Sequence, residues 1–133
     1  MENLESFQKR FSFKPTGGFL VGVERECFTT NGDGNIVPKA HKVLTSLKEG
    51  ILDDILISDG TEFGYELSAC QVETRVGPCS IEELHDCLSG RDRQLKMAFN
   101  HCGLSVLHTE VGPEDMPLDV YPDPTGRYQK ITK

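Results

Sequence analysis

Apolar runs of strand length and longer amphipathic segments alternate along these 133 residues, which predicts an α+β fold with a largely antiparallel sheet. Three observations lead there. Strand-like and helix-like segments mix without the steady βαβ rhythm of a doubly wound fold. The length suits one domain and leaves little room for two. The apolar share is 37%, and 13 glycines bring the chain near the globular norm, which argues against general disorder. No internal repeat, low-complexity tract or interdomain linker breaks residues 18–133, the predicted domain. Residues 1–17 read as a polar N-terminal arm.

The elements follow in order. Residues 18–29 carry Phe-Leu-Val-Gly-Val-Glu-Arg-Glu-Cys-Phe and read as a strand. Asn31-Gly32-Asp33-Gly34-Asn35 is a turn, since Gly and Asn accept positive φ at low cost. Ile36-Val37 allows a short return strand. A helix is predicted over 38–49, with Val43, Leu44 and Leu47 as its apolar stripe and Gly50 as its stop. Residues 51–58 are apolar and β-branched, Asp59-Gly60 makes a turn, and strands are predicted over 63–67 and 71–76, the latter closed by Gly77-Pro78.

The clearest element comes next. Ser80 can cap a helix, and Glu83 three residues on completes a capping box. Leu84, Leu88, Leu95, Ala98 and Cys102 then recur on one helical face, and Gly103 fits a left-handed stop. Gly90 inside this helix costs about 1 kcal/mol relative to Ala, which predicts close packing there or a break. Residues 104–109 are a further strand candidate, and the Pro-rich stretch 112–124 is a long loop.

Composition narrows the function classes. With 14 Lys and Arg against 21 Asp and Glu, the formal charge is −7, which disfavours unaided binding to nucleic acid or an anionic membrane. No apolar run approaches the ~20 residues of a membrane span, and the first residues lack the apolar core of a secretion signal. A cytoplasmic domain is expected. Five cysteines without a C-x-x-C pair suit neither a disulfide scaffold nor a zinc site, and His41, His85, His101 and His108 add no close ligand pair. The cysteines are therefore expected to be small buried apolar thiols without chemistry.

Two strands could carry chemistry. Alternate strand residues share a face about 6.6 Å apart, so Glu24 and Glu26 point one way and Val21, Val23 and Cys27 the other. Two carboxylates side by side repel unless they meet solvent or a cation. The pattern alone leaves two readings open: a solvated face opposite a core face, or oxygen ligands for Mg²⁺ or Mn²⁺. Leu20, Gly22 and Phe28 share the glutamates' face, so that face is not uniformly polar. In the second strand Gln71, Glu73 and Arg75 share one face and Val72, Thr74 and Val76 the other. These could hold a metal and an anion together, or form a cross-strand surface ladder. If the two strands pair, Glu24, Glu26 and Glu73 converge.

Other candidates fail. The turn at Asn31 lacks the calcium loop's Gly at position six, where Ile36 stands, and its Glu at position twelve, where Lys42 stands. Asp53-Asp54 reads as solvated loop. Phosphate-cradling, nucleophile-elbow and dinucleotide signatures are absent from the sequence.

Val21-Gly22-Val23-Glu24-Arg25-Glu26 resembles the opening G-x-E-x-E strand of the glutamate–cysteine ligase family, particularly its carboxylate–amine ligase branch. Glu66-x-x-x-x-Gln71-Val72-Glu73-x-Arg75, followed by Cys79 and a helix, resembles that family's second motif. Val37-Pro38 with Ala40 and Val43-Leu44 fits the segment between, and Arg127-Tyr128 resembles its R-Y step into a further helix. The resemblance runs in order from about residue 18 to the end. It implies part of a glutamine synthetase/guanidino kinase fold, a curved antiparallel sheet with helices on one face and carboxylates that hold Mg²⁺ (or Mn²⁺) and ATP. Carried over by position, Glu24, Glu26 and Glu73 would be metal ligands, Glu66 would lie by the nucleotide, and Gln71 and Arg75 would serve the reaction. That reaction phosphorylates the γ-carboxylate of glutamate with ATP, after which an amine such as cysteine's attacks the acyl phosphate, the entry to glutathione biosynthesis.

The chain departs from the family in length, since relatives continue into a His-bearing strand and further ligands. It also reads Glu110-Val111-Gly112-Pro113 where relatives often read G-T-H-P. The expectation is an incomplete catalytic unit that works as a homo-oligomer or with further polypeptide. The alternative is a non-catalytic metal- or nucleotide-binding, or self-associating, module.

Overall fold

The computed structural model describes residues 18–48 and 62–132. The arm at 1–17, the stop at Gly50, the segment 51–58 and the turn at Asp59-Gly60 lie outside the described residues. Those described form β1 (Val21–Thr30), α1 (Ala40–Lys48), β2 (Phe63–Tyr65), β3 (Gln71–Cys79), α2 (Ile81–His101), β4 (Ser105–Leu107) and α3 (Arg127–Ile131). The four strands make one sheet in the order β2-β3-β1-β4, every neighbour antiparallel. This is the α+β class the sequence predicts. Among the described residues no helix is long and apolar enough to cross a membrane.

Period-two alternation sorts the sheet into two faces. Cys27, Val72 and Phe63 leave it on the side of the helices and meet Ala40, Val43, Leu44 and Leu47 of α1 and Leu95, Ala98 and Phe99 of α2. Arg25 points the same way and spends its charge on Asp92 of α2. Glu24, Glu26, Gln71, Glu73 and Arg75 belong to the opposite face. There a smaller cluster of Phe28, Ile36 and Cys70, with Met116 packed on it, covers one end.

Local chemistry sets the element ends. α1 begins two residues later than expected because the Lys39 and Ala40 amides are bonded to the Val37 and Ala69 carbonyls. β2 stops at Tyr65, short of residue 67, because the Leu67 carbonyl accepts from Tyr121 and the Ala69 amide donates to Asp119. The loop at 112–124 is thereby fastened to the sheet, with Ser68 and Val120 forming an isolated bridge. The capping box of α2 is present in full: Ser80 Oγ accepts from the Glu83 amide at 3.3 Å, and the Ser80 amide donates to the Glu83 carboxylate at 3.1 Å. Gly103 ends that turn at φ 65°.

Three expectations are corrected. Gly90 marks neither close packing nor a break: α2 runs unbroken through it, and a Cβ added there would meet nothing within 4 Å. Burial on α2 falls on Gln94, Leu95, Ala98 and Phe99, while Leu84 and Leu88 are only half-buried, because α1 and the sheet meet the C-terminal half of the helix. The cysteines are not uniformly buried. Cys27 and Cys70 are, Cys79 and Cys102 are half-buried, and Cys87 is exposed.

Candidate functional site

The site is built by register. β1 and β3 pair so that Glu24 stands opposite Arg75, Glu26 opposite Glu73, and Phe28 opposite Gln71. β2 adds Gly64 opposite Glu73. Side chains on directly opposed residues share a face, so Gly64, Glu73 and Glu26 form one cross-strand row. Glu24, Glu26 and Glu73 therefore emerge on the same side of the sheet, with Gln71 and Arg75 between and beside them.

Like charges in such a row repel, and Glu73 is also buried at 6% exposure, so it needs a partner. Arg75 supplies it. The guanidinium meets both carboxylate oxygens, Nε to Oε1 and Nη2 to Oε2 at 3.0 Å. Glycine at 64 makes room for this, since a Cβ there would stand 2.6 Å from Arg75 Nη2. The bond to Glu73, with Glu24 and Glu66 nearby, raises the Arg75 pKa further. Glu26 is engaged from its own face: Gln71 Nε2 donates to its Oε2 at 2.9 Å. Just past β2, Glu66 reaches the same group. Desolvation pushes its carboxyl pKa up, and so does its hydrogen bond with Glu73.

Beside β2 these side chains open into a cleft of about 610 Å³. Glu24, Glu66, Glu73 and Arg75 form one wall, while Lys48 from the end of α1 and Arg127 and Tyr128 from the start of α3 also line it. Three tyrosines fix that end. Tyr65 stacks on Tyr121 with centroids 4.5 Å apart and meets the edge of Tyr128 at 5.9 Å. Asp123 sets the entry to α3, its carboxylate accepting from the amides of Thr125 (2.8 Å), Arg127 (3.2 Å) and Tyr128 (2.9 Å) and from the Thr125 hydroxyl. These bonds, the Thr125 hydroxyl's first, hold the Asp123 pKa down to about 2.

The structure thus gathers all six residues singled out from the sequence on or beside one face. It adds Lys48, Gly64, Tyr65 and Tyr128, which strand and helix patterning could not supply. The Asp123-Pro124-Thr125 string before Arg127 was a legible capping signal for α3.

The donors suit a hard divalent cation in kind and in side, being carboxylate oxygens on one face of a rigid sheet. They do not suit it in position. Among the described residues no group of three His, Cys, Asp or Glu side chains could hold a metal ion. Both oxygens of Glu73 are committed to Arg75, and Glu26 is committed to Gln71. No family model, curated protein or solved structure matches the chain.

Proposed function

We propose that this chain serves ATP-dependent carboxylate–amine ligation of the glutamate–cysteine ligase type, in the cytoplasm, on the sheet face that bears Glu24, Glu26 and Glu73. The observation that carries this reading is the β1–β3 register, which sets Glu26 against Glu73 and Glu24 against Arg75 on one side of the sheet. The four-stranded antiparallel sheet with its acidic face turned away from the helices supports kinship with the glutamine synthetase and guanidino kinase fold.

When bound, Mg²⁺ or Mn²⁺ would neutralise phosphate oxygens of ATP. Glu24, Glu26 and Glu73 are the carboxylates proposed to hold it; as they stand they are too far apart for that, so they would have to draw together and Arg75 would have to give up Glu73. Arg75, so released, would steady negative charge on the transferred phosphoryl group. Gln71 orients Glu26, and Glu66 borders the nucleotide. Lys48 and Arg127 give the cleft cationic groups suited to a substrate carboxylate. The unit works as an oligomer or together with further polypeptide; exposed Leu67, Leu118 and Ile131 give apolar surface for such contact.

One observation favours a second reading, a non-catalytic nucleotide- or metal-binding module: Glu73 already has a cationic partner in Arg75. Incubation with Mg²⁺, ATP, glutamate and cysteine separates the two. ADP release that needs both amino acids is the expected result. Saturable nucleotide binding without release supports the module, and absence of both overturns the two readings together.

A further inference from the structure

We infer that the groove between the outer edge of β4 and helix α2 is a docking site for an extended partner peptide with an acidic side chain, which adds to the sheet as a further strand. The backbone sets this up. The Thr29 amide donates to the Cys70 carbonyl at 2.8 Å and the Thr29 carbonyl accepts from the Val37 amide at 2.9 Å, so Thr29 turns both groups away from β4. Its neighbours Phe28 and Thr30 therefore make the ladder bonds, to Leu107 and Ser105. Val106 stands opposite Thr29, and its N–H and C=O are left on the outer edge. Among the described residues no strand follows β4 there.

This edge faces a slot with a floor and a far wall. The Leu104 amide donates to the Phe99 carbonyl at 2.9 Å, which brings β4 back alongside the last turns of α2. Between strand and helix lies a cleft of about 440 Å³. Leu95, Phe99, Leu104 and Val106 form its apolar floor, continuous with the core. Asp92, Lys96 and Asn100, four residues apart and so stacked on one helical face, form the wall opposite the strand edge. An edge strand facing a helix in this way takes one extended chain. Main-chain bonds to Val106 hold it, and every second side chain points to the floor.

Charge selects the occupant. Asp92 is bonded to Arg25 through both carboxylate oxygens, so its charge is spent within the protein. Lys96 and His108 line the same groove, offering an ammonium and a ring N–H, and neither has an ion-pair partner among the described residues. A second copy pairing edge to edge would bring Ser105, Val106 and Leu107, none of them acidic. Two-fold symmetry would also bring a second Lys96, so like charges would meet. The occupant is instead a partner segment of alternating pattern, with apolar side chains over the floor and an acidic one on the same face against Lys96 and His108. The groove lies at the sheet edge opposite β2 and its cleft, and does not depend on the ligase reading.

The probe is a fluorescein-labelled, end-capped peptide Thr-Val-Thr-Leu-Thr-Glu, whose Val, Leu and Glu share one face when extended. It is titrated with the full chain and read by fluorescence anisotropy. Saturable binding is expected, weakened at least about fivefold when Lys replaces the peptide's Glu or when its Val and Leu amides are N-methylated. In Lys96→Glu the order should reverse, the Lys peptide binding more tightly than the Glu peptide; Lys96 is exposed, so the fold is kept. No saturable binding, equal affinity for the Glu and Lys peptides, or no loss on N-methylation overturns the assignment. So does a dimer, seen by light scattering, that the peptide dissociates, because the groove then belongs to a second copy.

Discussion

Arg75 and Glu73 show how much of this face rests on single side chains. Glu73 is buried on a strand whose neighbour presents Glu26 directly opposite, and the Arg75 guanidinium offsets both costs at once. Removing a cation from a buried carboxylate leaves an uncompensated charge, but the Arg75 side chain is 44% exposed, so solvent screens part of the loss. Arg75→Ala should cost about 1–2 kcal/mol in urea unfolding. Asp123 gives a residue-level pH test. Its folded pKa of about 2 lies below its ordinary 3.8, so the unfolded chain binds the proton more tightly between those values. Its contribution is present above pH 3.8 and lost as pH falls through 2. Urea midpoints from pH 5 downward should show wild type losing more stability than Asp123→Asn; parallel curves would remove Asp123 from the account. The sequence announced Glu24, Glu26, Gln71, Glu73 and Arg75 by alternation, yet it could not announce that Arg75 would lie on Gly64. That contact depends on which β2 residue stands beside Glu73.

At the scale of elements, α2 invites two opposite changes. Ser80→Ala removes the hydroxyl that accepts from the Glu83 amide and donates to the Glu83 carboxylate, and should cost about 1 kcal/mol. Gly90→Ala fills open space on a helix that already runs through it and should gain up to about 1 kcal/mol in the same urea assay. A loss at Gly90 would mean a neighbour that the structure does not place there. Helix and strand identities were readable because each signal is local: a cap, an alternation, a turn residue. Phe99 shows a signal passed over, since it follows Leu95 by four residues and belongs to the same buried stripe. The early end of β2 was not readable, because residues 67–69 give their backbone groups to residues 119–121, some fifty positions away. The bulge at Gly77-Pro78 was visible as a strand end and is instead a continuation that changes which face Cys79 takes.

The whole molecule divides its two sheet faces by chemistry. One is closed by α1 and α2 over a single core; the other gathers carboxylates from two strands and a loop beside a cleft that Arg127 and Tyr128 of α3 also line. Alternation alone says that each strand has an acidic side. Only pairing says that the acidic sides coincide, and pairing is a long-range property that no window of sequence contains. The tyrosine end of the cleft is of the same kind, since Tyr65 and Tyr121 meet only once the loop is fastened to Ser68. The most direct test of the central claim is a Mn²⁺ titration of the full chain with a non-hydrolysable ATP analogue, following free Mn²⁺ by electron paramagnetic resonance. Wild type, Glu24→Gln and Glu73→Gln are compared after circular dichroism confirms that each is folded. Saturable binding in wild type that weakens at least about tenfold in each variant is the predicted result; equal affinity in all three would contradict a shared cation on this face.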